Sequence, residues 1–177
     1  RVGKDAWNKW ARNNPGAEVS FKGVEFKDDV VNFKDFVFPG EADFTDATFS
    51  GEAEFNNAKF GGDATFNNAT FGGYARFSGA TFDENVSFEE VTFGKNTSFT
   101  NATFSRDVSF VKTTFSGSTG FRNATFNGGA RFVKTTFSGD VRFGDATFNG
   151  GAEFSGATFR RGAEFEKVTF GGDVRFG

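Results

Sequence analysis

Cysteine, histidine, methionine, leucine, isoleucine and glutamine are all missing from this 177-residue chain. Without cysteine there is no disulfide framework, no thiolate metal site and no cysteine nucleophile, and the redox compartment is left open. Without histidine the commonest acid–base group near neutral pH and the commonest zinc ligand are gone. A core cannot use leucine or isoleucine, so it has to be built from phenylalanine, valine and alanine. No apolar run approaches the roughly 18 residues of a membrane span, and the first thirty residues hold no signal-peptide core. The expectation is a soluble chain, in the cytoplasm. A start at Arg1 rather than at methionine points to a processed or trimmed N-terminus. The net charge is −3, divided as −7 over residues 1–90 and +4 over residues 91–177. On an elongated molecule that is an axial gradient, able to steer partners or favour head-to-tail contact and screened by salt.

What is present is phenylalanine, 30 residues of it. From Phe33 the rings recur at alternating spacings of five and six, almost to the last residue. A strict eleven-residue period in two unequal halves is the mark of a solenoid. Two residues before each marked ring stands Ala, Val or Thr, with Phe36 as the one exception, while the ring's flanking residues are mostly polar. Side chains alternate faces on an extended strand, so the small residue and the ring point inward and the residue between them outward. After each strand come Asn-Asn, Ser-Gly or Gly-Gly-Asp, residues that close tight turns. Such short strands cannot pair with their sequence neighbours across a corner. Their backbone groups must therefore pair with the next coil, about 4.8 Å along the axis, which gives a parallel β-helix.

Two units per coil would flatten the chain and leave no room for opposed rings; four units give about 22 residues per coil and four inward columns. From Phe21 to Phe176 that makes about seven coils and a rod about 35 Å long. The predicted structural core is Phe44, Phe49, Phe55, Phe60, Phe66, Phe71, Phe77, Phe82, Phe88, Phe93, Phe99, Phe104, Phe110 and Phe115, each buried ring contributing about 1.5–3 kcal/mol. The seven-residue gap between Phe26 and Phe33 predicts a bulged corner at Lys27-Asp28-Asp29-Val30, with the acidic pair in a solvated loop rather than at a metal. Phe36 needs extra room inside its coil.

Residues Lys4 to Asn13, with Ala6, Trp7, Trp10 and Ala11 at helical spacing and Asn14-Pro15-Gly16 as a stop, predict a short amphipathic helix. Its indoles, Trp7 and Trp10, are expected to cap an open end of the rod. The expected division is a helical cap over residues 1–16 and a β-helix over residues 17–177. At the other end the repeat runs to Gly177 without a cap sequence. Phe170 and Phe176 are therefore a candidate interface: either the native chain continues or this end meets another copy.

The repeat, exemplified by Ala53-Glu54-Phe55-Asn56-Asn57, resembles the pentapeptide repeat proteins, whose unit is usually written A-[DN]-[LF]-x-x. The resemblance runs from Val19 to the end. It departs from the family in using phenylalanine throughout at the centre and a sixth residue in every second unit, so two tight and two looser corners are expected to alternate. The resemblance implies a right-handed quadrilateral β-helix, an all-β fold with a short N-terminal helix; the Trp-Asn-Lys-Trp string followed by Asn-Pro looks like the helical leader of some members. It also implies self-association through one end, here as a homodimer or head-to-tail stack through the uncapped C-terminal end.

The expected function is that of a non-catalytic scaffold or interaction module binding a protein whose identity the residues do not give. The resemblance suggests an alternative, a mimic of duplex DNA acting on DNA gyrase in a bacterial setting; the mixed charges at Glu54, Arg76, Arg131, Arg142, Glu153, Glu164 and Arg175 argue against the dense acidic stripe this needs. A second alternative is ice binding through outward threonines, Thr48, Thr70, Thr81, Thr92, Thr103, Thr114, Thr125, Thr136, Thr147, Thr158 and Thr169, which should form ladders on two opposite faces. Direct nucleic-acid binding is not expected, because the basic residues alternate with acids and the aromatic rings are spent inside. Five Asn-x-Ser/Thr strings, beginning at Asn68, Asn85, Asn96, Asn101 and Asn123, arise from corner asparagine followed by strand threonine or serine. Corner Gly-Gly pairs open no helix and so cradle no phosphate. A filled convex rod offers no pocket and no base for a hydroxyl nucleophile, so no enzyme and no cofactor are expected.

Overall fold

A computed structural model describes residues 3–177. One helix, α1 (Lys4–Asn13), precedes 29 strands of two or three residues each. They form four parallel sheets, one of eight strands and three of seven, in which each strand's partners are the fourth before it and the fourth after it. The chain is thus a four-sided parallel β-solenoid of about seven turns. The sheets are called here faces A to D, in the order of their first strands: Val19–Ser20, Glu25–Phe26, Val30–Asn32 and Val37–Phe38.

Register partners lie 22 residues apart along most of the rod, as in Thr70 with Thr48 and Thr92. On faces A and B of the first coil the offset is 23, as in Val19 with Ala42 and Glu25 with Thr48. The additional residue lies in the widened corner between Phe26 and Val30, where the seven-residue gap places it. Most strands are two residues long instead of the expected three. The reason is local: on faces A and C the ring residue already begins the corner, its carbonyl accepting the N–H three residues on, as in Ala58 N to Phe55 O at 3.0 Å.

Two kinds of corner alternate. After faces A and C comes a hydrogen-bonded turn whose third residue is left-handed, for example Asn57 at φ 55° and Asn101 at φ 59°. This is the position that asparagine, aspartate and glycine tolerate best. After faces B and D the corner is looser, and side chains supply its bonds. Asp63 Oδ1 accepts Asn85 N at 3.0 Å, Asn85 Oδ1 accepts Asp107 N at 3.3 Å, and Asp107 Oδ1 accepts Gly129 N at 2.7 Å. Each coil thereby satisfies a backbone donor of the next.

The interior holds four columns of rings. All fourteen rings named from Phe44 to Phe115 are fully buried. Within a column rings stack in parallel, Phe60 on Phe82 at 4.7 Å and Phe82 on Phe104 at 5.1 Å. Between columns they meet edge to face, as Phe55 with Phe66 at 5.8 Å and 89°, the geometry the ring quadrupole favours. Alanines and valines fill the space beside them, with Thr97, Thr113, Thr119 and Thr135 as the buried polar exceptions.

Helix α1 lies along the free edge of face D. Trp7 Nε1 donates to Val37 O at 2.8 Å, Asn8 Nδ2 to Asp35 O at 2.9 Å, and Val37 N to Asn8 Oδ1 at 2.9 Å. The helix thus bonds the edge where a preceding strand would. Phe36 finds its space at this end of the rod, 5.8 Å from Trp7 and 5.5 Å from Phe33, because a helix and not another coil lies next to it. Trp7 is half-buried and packs on Phe38, whereas Trp10 is exposed. Of the residues 1–16 expected to form a cap, residues 1 and 2 lie outside those described.

Candidate interaction surface

With the interior filled, the groups available for recognition are the outward columns and the two ends. Threonines occupy one column of face B and one of face D, on opposite sides of the rod. The face B column runs Thr48, Thr70, Thr92, Thr114, Thr136 and Thr158, flanked by Ser50, Gly72, Gly94, Ser116 and Ser138. The face D column runs Thr81, Thr103, Thr125, Thr147 and Thr169. It is flanked by Asp83, which pairs with Lys59 at 3.2 Å, and by Asn127 and Asn149, joined at 2.7 Å.

Face A carries Asp43, Thr65, Ser87, Ser109, Arg131, Glu153 and Arg175. Glu153 forms an ion pair with Arg131 at 3.5 Å. At the corner between faces A and B, Lys112 Nζ donates to Glu90 at 2.7 Å, and that carboxylate holds the lysine above its usual range. At the corner between faces D and A acidic groups recur at Asp63 and Asp107 but give way to Gly129 and Gly151.

Face C is the most varied side. Its outward column reads Asn32, Glu54, Arg76, Ser98, Gly120, Arg142 and Glu164. The only tyrosine of the chain, Tyr74, stands exposed at its edge, with the Arg76 guanidinium 5.4 Å and the Lys95 ammonium 5.7 Å from the ring centre. Such cations are attracted to the ring face. Glu52 and Glu54 both pair with Arg76. Further along, the Arg122 side chain crosses Gly144 to reach Glu164, which also faces Arg142 at 3.7 Å. Hydroxyls line the stretch between, Ser78 to Ser98 at 2.8 Å and Ser98 to Thr100 at 3.2 Å.

At the C-terminal end of the described rod Phe170 is 37% and Phe176 62% exposed, each stacked on one side only, on Phe148 and Phe154. At the other end Phe21, Phe26, Phe33 and Phe36 with Trp7 and Val31 line an apolar hollow of about 410 Å³. Among the described residues no cluster of potential metal ligands occurs, and no helix is long and apolar enough to cross a membrane.

Sequence reasoning singled out rings, indoles and outward threonines, named Arg142 and Glu164 only as mixed surface charges, and passed over Tyr74, Gly120 and Arg122. Aligning the chain at 22 residues instead of eleven would have exposed them, since Gly120 then falls in a column of larger side chains.

A four-walled solenoid with a ring on every wall defines a class of repeat protein, and comparison with known families agrees. The family model described as "Pentapeptide repeats (9 copies)" matches residues 33–81, 55–103, 66–114, 99–147 and 132–177. The chain belongs to the pentapeptide repeat family. No curated protein matches it.

Proposed function

We propose that this chain is a non-catalytic β-helical scaffold that docks a protein partner on face C, with the end carrying Phe170 and Phe176 as a second contact, suited to another copy of the chain. The observation that carries this reading is the concentration of anchor chemistry on one side: Tyr74, Arg76, Lys95, Arg122 and Arg142 share face C and its edge, and tyrosine and arginine are the residues on which interface energy concentrates. Flat, rigid walls hold these groups at fixed spacing, which lowers the entropy a partner loses on binding. A DNA-like acidic stripe would need negative charge in every coil, whereas arginines interrupt faces A and C.

The reading is tested by placing a photoreactive side chain at Ser98 on face C or at Thr103 on face D in producing cells. Capture of one defined protein from position 98 and not from 103, abolished by Tyr74→Ala with Arg142→Ala, supports it. Equal capture from both faces contradicts it.

A second reading, ice binding, is favoured by face B, where a threonine column in register is flanked on the side toward face C by serine and glycine from Ser50 to Ser138. Its test is thermal hysteresis. Freezing-point depression lost in Thr92→Lys supports that reading, and hysteresis no greater than that of a control protein removes it.

A further inference from the structure

We propose that face C carries an oxyanion-binding notch centred on Gly120, built for a carboxylate or a phosphate-type group between Arg122 and Arg142. This deepens the docking reading of face C, on which it rests for its biological use. Gly120 is the one residue in its outward column without a side chain, between Ser98 and Arg142. Glycine inside a strand weakens it and often marks a close approach by a ligand. Nothing in the backbone requires it here. At corner glycines such as Gly117 and Gly139 a Cβ would come within 2.5 Å of neighbouring backbone, but at Gly120 it would meet only the hydroxyls of Thr100 at 3.3 Å and Ser98 at 4.0 Å. Gly120 lies in a shallow surface hollow of about 560 Å³, lined by hydroxyls and by the two arginines.

The charge there points to an anion. One carboxylate, Glu164, serves both guanidiniums, at 2.5 Å from Arg122 and 3.7 Å from Arg142, so these three side chains together keep a net positive charge. Both arginine side chains are about half exposed, and the hydroxyls of Ser98 and Thr100 line the same hollow. Guanidinium and hydroxyl donors side by side suit an incoming group rich in acceptors.

The test titrates the full chain with sodium acetate and, separately, sodium phosphate, following the amide signal of Gly120 and the side-chain signals of Arg122 and Arg142 by NMR. Saturable shifts confined to these groups are expected. Arg142→Ala should weaken them about tenfold, the loss of one charge-assisted contact, and Gly120→Glu, which supplies its own carboxylate, should abolish them while the melting temperature holds. Tighter binding of phosphate would assign the notch to phosphorylated groups, and comparable binding of acetate to acidic side chains. Shifts of equal size at Arg131 and Arg175 on face A, or shifts unaltered by Gly120→Glu, would overturn the proposal. No partner is needed, so its failure is separate from a failure of the docking reading.

Discussion

Asn57 lies one coil beyond Asp35 and donates its amide to that carboxylate at 3.1 Å, both residues holding the same left-handed corner position. This bond keeps Asp35 below the usual carboxylate range against an opposing effect of burial, and Lys4 of α1 at 3.3 Å adds to the lowering. Folded Asp35 therefore binds its proton less readily than the unfolded chain does. Its contribution is complete above the ordinary aspartate pKa of about 3.9 and is lost as pH falls through the lower folded value. Since the same carboxylate holds α1, acidification below about pH 4 should alter the emission of Trp7 and Trp10 before the strand signal in circular dichroism. Asp35→Asn should remove the early step. Simultaneous loss of both signals in the native chain would contradict this.

The looser corners depend on side chains, so they have a specific weakness. Asp107→Ala removes the acceptor of the Gly129 N–H and should cost about 0.5–1.5 kcal/mol in chemical denaturation, while Asp107→Asn, which keeps an acceptor, should cost less than half of that. Equal losses would place the effect in the charge.

At the tight corners the left-handed residue is sometimes poorly suited to its conformation. Lys134 holds the left-handed position at φ 55°; Lys134→Gly should raise stability by up to about 1 kcal/mol. The looser-corner change Gly139→Ala should lower it by about 1–3 kcal/mol, because the new Cβ falls 2.5 Å from the backbone of Gly117. Thermal denaturation of the two variants gives opposite shifts if the two corner types differ as described.

The solenoid was legible because its cause is periodic: a ring and a small residue at fixed spacing can be read without knowing which coils touch. Alternation of corners was legible for the same reason, the five-residue unit closing through its own backbone. Strand length was less so, because Phe44 and its equivalents on faces A and C give their carbonyls to the turn. Contacts 22 or 42 residues apart, such as Asn57 with Asp35 and Arg122 with Glu164, follow from stacking and not from local pattern. The candidate notch escaped notice because its sign is one missing side chain, visible only once Ser98, Gly120 and Arg142 stand side by side.

Equilibrium unfolding of Phe104→Ala beside Thr103→Ser measures most directly whether inward rings hold the rod and leave its outer columns free. Phe104 is fully buried between Phe82 at 5.1 Å and Phe126 at 4.9 Å, whereas Thr103 faces outward. Loss of the ring is predicted to cost about 3–5 kcal/mol and the threonine change well under about 1 kcal/mol; equal and small losses would contradict the division between a core of rings and a surface open to recognition.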